Sequence, residues 1–211
     1  HPSIEATGLL MNHPGIAIVL ATGGAGMVKA AYSTGKPALG VGPGNVPAYI
    51  EKTAKIKRAV NDLIVSKTFD NGMICASEQA VIVDKEVYAA VKAEFEAHQV
   101  YVVKEKELQK LEDAVMNEEK YAVNPAIVGH SAMDIAKLAG INVPEGTKLL
   151  IAELDGVGAK YPLSREKLSP VLAMIKANNT EDALQKCEAM LDLGGLGHTA
   201  VIHTENEDLQ L

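Results

Sequence analysis

The stretch that decides the fold class is IAIVLATGGAG, residues 16–26. Its first six residues form a continuous apolar run of strand length, which is typical of a strand buried on both faces of a parallel sheet. The glycine turn Thr22–Gly26 follows, and Met27–Tyr32 is predicted to be a helix. A strand, a glycine turn and a helix in this order direct backbone amides and the positive end of the helix dipole toward a phosphate. An ordinary βα turn is the alternative, because the full G-x-G-x-x-G fingerprint is missing.

Beyond this turn, predicted strands and helices alternate along the chain, which predicts an α/β fold. The predicted strands are residues 38–41, 79–83, 126–128, 149–154, 169–175 and 199–203. The predicted helices are residues 4–11, 55–67, 85–96, 104–116, 131–139 and 180–193. The Gly/Pro-rich stretch Gly42–Asn45 predicts a domain boundary. We therefore predict that residues 1–45 are the C-terminal part of one domain, that residues 46–204 form a second, and that residues 205–211 begin a return segment.

Composition and charge argue against several classes of function. The 211 residues carry a net charge of −7, so a broad surface for nucleic acid or an anionic membrane is not expected. No apolar run reaches the ~20 residues needed to span a bilayer, and the first residues do not show the basic and apolar regions of a signal peptide. Two cysteines do not make a disulfide framework, which favours a reducing, cytoplasmic location. The chain starts without methionine and ends in an acidic loop, so we expect it to be a piece of a longer protein.

Cys75 lies in the segment FDNGMICAS, residues 69–77, between a predicted helix and a predicted strand. Gly72 permits a tight bend, and the small residues that follow the cysteine leave its sulfur approachable. Such a thiol can attack a carbonyl carbon if its surroundings favour the thiolate. The alternative is a buried structural cysteine, since free cysteines are among the most buried residues. Cys187 fits that alternative, because it shares a helical face with apolar residues.

Two further residues are candidates for proton transfer or ligand binding. His198 lies in the glycine turn 195–199, where an imidazole can exchange a proton near neutral pH or bond a nearby backbone carbonyl. Glu166 precedes a predicted strand, where it either accepts hydrogen bonds from ribose hydroxyls or is a solvated surface charge. The histidines and cysteines together show no metal-ligand spacing, so a metal site is not expected.

Five segments occur in an order that resembles the aldehyde dehydrogenase superfamily, and within it the CoA-acylating branch. They are spread over nearly the whole chain and comprise residues 21–28, 40–45, 67–79, 166–170 and 195–199. The resemblance implies a Rossmann-like cofactor domain, a catalytic α/β domain and a small oligomerisation flap. This chain would hold the end of the first domain and most of the second, within a homo-oligomer or filament.

The same resemblance implies a role for each candidate residue. It implies that Cys75 is the acylated nucleophile and that Glu166 holds the nicotinamide ribose of NAD. It also implies that His198 serves proton transfer or CoA placement. The residues that the resemblance places at the cofactor are Thr22, Gly23, Gly24, Gly26 and Gly42. The implied partners are a small aldehyde and acyl-CoA.

One difference between this sequence and the wider superfamily favours the CoA-acylating branch. Hydrolytic members carry a glutamate base just before a Gly-Gly pair, at a position where this chain has Val41 or Gly42. Neither residue can accept a proton. Water, with a pKa of about 15.7, needs such a base, whereas a thiol, with a pKa of about 8.5, forms its own thiolate more readily. We therefore expect CoA to release the acyl group as acetyl-CoA, with acetaldehyde and NAD as the other substrates. The alternatives are a hydrolytic or semialdehyde-specific dehydrogenase and a segment that serves mainly filament assembly.

Overall fold

The computed structural model describes residues 3–117 and 122–210. These residues divide into two units, with the division between Pro43 and Gly44. Each unit has its own sheet and its own apolar core. No helix among the described residues is long and apolar enough to cross a membrane.

The first unit is built on two parallel strands. Its elements are helix α1 (Ile4–Asn12), strand β1 (Val19–Thr22), helix α2 (Ala25–Tyr32) and strand β2 (Ala38–Val41). Ser3 begins α1 as its N-cap, because its hydroxyl accepts a hydrogen bond from the backbone N–H of Ala6 at 3.0 Å. The two strands pair in register, with Val19 opposite Ala38.

Strand β1 is shorter and more exposed than the sequence predicts. The apolar run starts at Ile16, but the strand starts at Val19, where parallel pairing with β2 begins. Val19 and Ala21 are buried with Ala31 of α2, whereas Leu20 is 74% exposed. The prediction of a strand buried on both faces is therefore wrong in the described part of this unit, because only one face of its sheet packs against a helix.

The second unit contains a six-stranded parallel sheet. Its sheet strands are β3 (Val46–Ile50), β4 (Glu78–Asp84), β5 (Val100–Val102), β8 (Leu149–Leu154), β9 (Val171–Ala177) and β10 (Val201–His203), and a small antiparallel pair is formed by β6 (Met116–Asn117) and β7 (Ala122–Val123). Their order in the large sheet is β10-β3-β4-β9-β8-β5. All of its neighbouring strands run parallel. The predicted α/β class is confirmed.

Helices cover both faces of this sheet. They are α3 (Ile56–Thr68), α4 (Tyr88–Glu96), α5 (Glu105–Val115), α6 (Ala132–Leu138) and α7 (Thr180–Asp192). Helices α3 and α4 pack on one face, and α5, α6 and α7 pack on the other. Successive residues of β4 alternate between the two cores, since Ala80 and Ile82 join one cluster while Val81 and Val83 join the other. This burial on both faces explains why the strand sequences are continuously apolar.

Two predictions of secondary structure need correction. Residues 126–128 were predicted to be a strand, but Pro125–Ile127 is a 3-10 turn opened by Asn124, whose side-chain oxygen accepts from Ala126 N at 3.0 Å. Proline has no N–H for a strand ladder, which disfavours the strand. The predicted strands also omit β3 and β5: β3 directly follows the Gly/Pro-rich boundary and contains Pro47, and β5 has only three residues, each of them half-buried.

Candidate active site

The candidate residues of the second unit precede four neighbouring strands. Gly44 lies just before β3, Cys75 before β4, Glu166 before β9 and His198 before β10. These four strands are adjacent and parallel, in the order β10-β3-β4-β9. The amino ends of adjacent parallel strands lie at one edge of a sheet, so this topology brings the four residues together. The candidate site is therefore at the amino edge, opposite to the carboxyl edge that open doubly wound sheets commonly use.

Cys75 is presented by a tight turn with a left-handed backbone. Helix α3 ends at Thr68, and after Phe69 the residues Asp70, Asn71 and Gly72 have φ values of 48°, 50° and 71°. Non-glycine residues adopt this region at a cost of roughly 1 kcal/mol or more, so the surrounding structure must hold them there. One holding contact is the Asn71 side-chain amide, which donates to Gly129 O at 2.9 Å.

Gly44 is the point at which the candidate residues converge. Its backbone N–H donates to Glu166 Oε1 at 3.0 Å. A Cβ atom at this position would lie 2.3 Å from the carbonyl oxygen of Cys75 and 3.3 Å from Cδ2 of His198. The cysteine turn, the carboxylate and the imidazole therefore surround one backbone atom, and the absence of a side chain at Gly44 is what permits this approach.

The two cysteines differ in exposure. Both thiols are free; Cys75 is half-buried, whereas Cys187 is buried inside α7. Burial raises the pKa of Cys187 to about 11, with a smaller contribution from the negative charge of Glu188. Cys187 is therefore a thiol at neutral pH and packs in the core, as the sequence predicts. Cys75, by contrast, is partly exposed as a residue, which is compatible with the approach of a small carbonyl compound.

Glu166 is held by the protein rather than surrounded by water. Burial raises the pKa of its carboxyl group, and the hydrogen bond from Gly44 together with the positive charges of Lys67, His198 and Lys167 opposes this increase. The alternative of a solvated surface charge is therefore wrong. A half-buried carboxylate with one oxygen fixed by an amide retains acceptor capacity for hydroxyl donors.

His198 keeps one ring nitrogen unused. Its Nδ1 lies 2.9 Å from the Thr199 hydroxyl, whereas Nε2 is buried and has no hydrogen-bond partner among the described residues. The ring bonds no backbone carbonyl among the described residues, in contrast to the structural alternative that the sequence leaves open. The turn that carries His198 approaches β3 closely, since a Cβ at Gly195 would lie 2.5 Å from Asn45 N. A buried, unpartnered ring nitrogen is costly, and a ligand that bonds it would remove this cost.

The predicted cofactor residues of the first unit lie around the start of α2. Gly24 is the N-cap of this helix and provides no side-chain cap, so amides of the first turn remain available. The backbone N–H of Gly23 donates to Val41 O at 3.0 Å, which ties the turn to β2. A Cβ at Gly24 or Gly26 would meet no described atom within 4 Å. Open space beside free amides fits a phosphate group.

The other two predicted residues border the same strands. Thr22 is the last residue of β1, and Gly42 directly follows β2. A Cβ at Gly42 would likewise meet no described atom within 4 Å. Both positions thus follow the carboxyl ends of parallel strands, where ligands commonly bind in open α/β sheets.

Sequence reasoning assigned no role to several residues that build the site. They are Gly44, Asn45, Lys67, Gln79 and Lys167, all of them buried. Asn45 donates through Nδ2 to Met190 O at 2.8 Å, while its buried Oδ1 has no partner among the described residues. The burial of Lys67 and Lys167 gives no signal in the sequence, because each lysine stands next to other polar residues there. Within the described ranges, no group of three or more His, Cys, Asp or Glu could hold a metal ion.

Comparisons with known proteins find similarity over nearly the whole chain. A family model described as "Aldehyde dehydrogenase family" matches residues 2–209. An aldehyde-alcohol dehydrogenase of Streptococcus pneumoniae is 54% identical over 215 residues, which cover 99% of this chain and 24% of that protein. The chain thus spans about a quarter of the length of that curated relative.

Solved structures match the chain over nearly all of its length. An acetylating aldehyde dehydrogenase from Geobacillus thermoglucosidasius superposes with a TM-score of 0.95 and 48% identity, covering 100% of this chain and 46% of that chain. A propionaldehyde dehydrogenase from Rhodopseudomonas palustris, solved with bound CoA and an acylated cysteine, has a TM-score of 0.87 and 30% identity, covering 98% of this chain and 46% of that chain.

Proposed function

Because the chain belongs to the aldehyde dehydrogenase family, we propose that it carries the catalytic thiol of a CoA-acylating aldehyde dehydrogenase. The reaction is the reversible conversion of a short aldehyde such as acetaldehyde, CoA and NAD into acyl-CoA, NADH and a proton. The observation that carries this proposal is the convergence of the Cys75 turn, Glu166 and His198 on Gly44. The relative with bound CoA and an acylated cysteine supports the same chemistry.

The proposed reaction begins at the Cys75 sulfur. The thiolate forms a bond to the aldehyde carbon, and the carbonyl electron pair moves to oxygen. The Cys75 backbone N–H has no hydrogen-bond partner among the described residues, so it is available to stabilise that oxyanion. NAD, when bound, supplies the hydride acceptor. Loss of hydride from the carbon re-forms the carbonyl and leaves a thioester on Cys75.

The second half of the reaction transfers the acyl group. The CoA thiolate attacks the thioester carbon, the bond to the Cys75 sulfur breaks, and acyl-CoA leaves. We propose that His198 accepts the proton of the CoA thiol at Nε2, the ring nitrogen that has no partner among the described residues. The proposed role of Glu166 is to accept hydrogen bonds from the nicotinamide ribose. Thr22, Gly23, Gly24, Gly26 and Gly42 are proposed to line the cofactor phosphates.

A hydrolytic dehydrogenase is the second candidate, because Glu166 is a half-buried carboxyl group with a raised pKa at the same site. Such a group could in principle activate water. One of its oxygens, however, already accepts the Gly44 amide, and the positions before the glycine pair hold Val41 and Gly42. These observations favour CoA over water as the acyl acceptor.

The requirement for CoA separates the two candidates. With acetaldehyde and NAD, we expect the full-length polypeptide to form NADH at least about 100-fold faster with CoA than without it, because a thiol forms its thiolate far more readily than water forms hydroxide and neither Val41 nor Gly42 can act as a base for water. The measurement is NADH absorbance with acetyl-CoA and acetate quantified in parallel. Equal rates with and without CoA, and acetate as the product, would refute the acylating assignment.

The setting of the enzyme is also proposed. A nucleophilic Cys75 must stay reduced, which supports a cytoplasmic location. The family resemblance supports a homo-oligomer or filament. Exposed apolar side chains on α1, Ile4 and Leu9 among them, offer surface for such contacts.

A further inference from the structure

Behind the candidate site lies a buried lysine cluster, formed by Lys67, Gln79 and Lys167. All three side chains are fully buried. Gln79 Oε1 accepts two hydrogen bonds, from Lys67 Nζ at 3.1 Å and from the backbone N–H of Lys167 at 3.0 Å. Gln79 Nε2 donates to Ser77 O at 3.0 Å, so the carboxamide is fixed at both ends. The cluster therefore joins α3, the start of β4 and the segment that carries Glu166.

The two lysines of the cluster have different hydrogen-bonding environments. Lys167 Nζ donates to three carbonyl oxygens, those of Gln79 at 2.9 Å, Leu163 at 2.7 Å and Arg165 at 2.7 Å. Three acceptors satisfy a complete ammonium group. Lys67 Nζ has a single acceptor among the described residues, Gln79 Oε1. Hydrogen bonds thus account for the burial of the Lys167 ammonium group. They do not account for the burial of Lys67, so the charges around Lys67 must be considered.

Charged groups surround Lys67 from three segments. Glu78 at the start of β4 and Glu166 before β9 attract its ammonium group, and Lys167, next to Glu166, repels it. From the turn before β10, His198 also acts on Glu166, because its positive charge lowers the pKa of that carboxyl group. Burial lowers the pKa of Lys67 to about 7, against the attraction of the two carboxylates. Lys67 therefore carries its charge mainly below neutral pH and loses it as the pH rises further. Below neutral pH, Glu166, whose pKa is raised, most needs a neighbouring cation to stay ionised.

We propose that Lys67 is a positioning residue that acts through Glu166: it holds Gln79 against the Glu166 segment and keeps the Glu166 carboxylate in its ionised, ligand-accepting form on the acid side of neutrality. The inference rests on the proposed function, because the ligand of Glu166 is taken to be the ribose of the nicotinamide cofactor. Lys67 itself contacts neither cofactor nor substrate in this account. An ionised carboxylate is the stronger acceptor for ribose hydroxyls, so replacing Lys67 by an uncharged residue weakens cofactor binding at low pH.

The test is NADH binding to the full-length polypeptide carrying Lys67→Met, measured by cofactor fluorescence from pH 6 to pH 8.5. Removal of the neighbouring positive charge of Lys67 favours the protonated form of the Glu166 carboxyl group. We expect the dissociation constant to be about tenfold higher than that of the native protein at pH 6. The two constants should converge at pH 8.5, where native Lys67 is neutral and Glu166 is ionised without it.

Two comparisons identify the route of the effect. In a Glu166→Gln background, Lys67→Met should cause no further pH-dependent loss, because the group on which it acts can no longer titrate. Lys92→Met is the matched control, since Lys92 on α4 is a partly exposed lysine whose Nζ lies 2.6 Å from the carboxylate of Glu153 on β8. It should bind NADH as the native protein does at every pH.

Several results would overturn the inference. One is an affinity ratio between Lys67→Met and native protein that does not change with pH, and another is an equal loss in the Glu166→Gln background. If Lys67→Met does not fold, Lys67→Gln carries the same prediction, since it keeps an N–H donor without a charge. Failure of both variants to fold would show that Lys67 serves the fold alone and would also overturn the inference.

Binding of NADH does not depend on turnover, so the two proposals can fail separately. A native protein that binds NADH but does not require CoA for aldehyde oxidation refutes the proposed function only. A native protein that binds no NADH refutes both proposals.

Discussion

Cys75→Ser in the full-length polypeptide is expected to lower the rate of CoA-dependent aldehyde oxidation by at least about 1,000-fold, because removal of a covalent nucleophile leaves only binding and oxyanion stabilisation. A hydroxyl is far less acidic than a thiol, so serine supplies almost no nucleophilic anion at neutral pH. The measurement is NADH formation from acetaldehyde and CoA, with NADH binding recorded to show that the site is intact.

Cys187→Ser is the matched control for this prediction. Cys187 lies in the core on α7 and is a protonated thiol at neutral pH, so its sulfur takes no part in the proposed reaction. We expect the control to retain the native rate, with a modest loss of thermal stability from a hydroxyl placed in an apolar site. A Cys75→Ser variant with near-native turnover would refute the assignment of the nucleophile.

The second large effect is expected at Gly44. In Gly44→Ala the new Cβ would lie 2.3 Å from the Cys75 carbonyl oxygen, a distance that forces one of the two backbones to move. Because Gly44 also donates to Glu166 Oε1, the movement displaces the cysteine turn or weakens that hydrogen bond. A misplacement of about 1 Å in an active site can cost about 100-fold in rate, and we expect a loss of that size in kcat/KM.

Gly8→Ala provides the comparison for Gly44→Ala. Gly8 lies inside helix α1, and a Cβ there would meet no described atom within 4 Å. Alanine in a helix interior is favoured over glycine by roughly 1 kcal/mol, so this variant should keep its activity and gain slightly in stability. Native kcat/KM in Gly44→Ala, with Gly8→Ala also unchanged, would contradict the convergence on Gly44.

Strands with continuous apolar sequence were the most predictable part of the fold. Residues 38–41 and 149–154 form strands with the predicted bounds, because apolar runs between turn signals leave little ambiguity. Predictions failed where tertiary context decides. Leu20 is as apolar as a core residue yet is exposed, and β5 is a strand only because it pairs with β8. Neither fact is encoded in a local pattern.

The resemblance to the aldehyde dehydrogenase family, predicted from five sequence segments, is confirmed by the family match over residues 2–209. The sequence also indicated the cysteine turn, since a thiol between a glycine bend and small residues is visible locally. It could not indicate that Cys75, Glu166 and His198 converge on Gly44, because their proximity depends on the order of the strands in the sheet. The roles assigned to these residues stay predictions that the proposed variants test.

The central claim is that Cys75 becomes acylated and passes its acyl group to CoA. The most direct measurement is intact-mass analysis of the full-length polypeptide after incubation with acetyl-CoA, followed by peptide mapping. We predict one added acetyl group, located on Cys75, absent from Cys75→Ser and released by addition of free CoA. An acetyl group on Cys187, or an unmodified Cys75 in protein that oxidises aldehyde, would contradict the account.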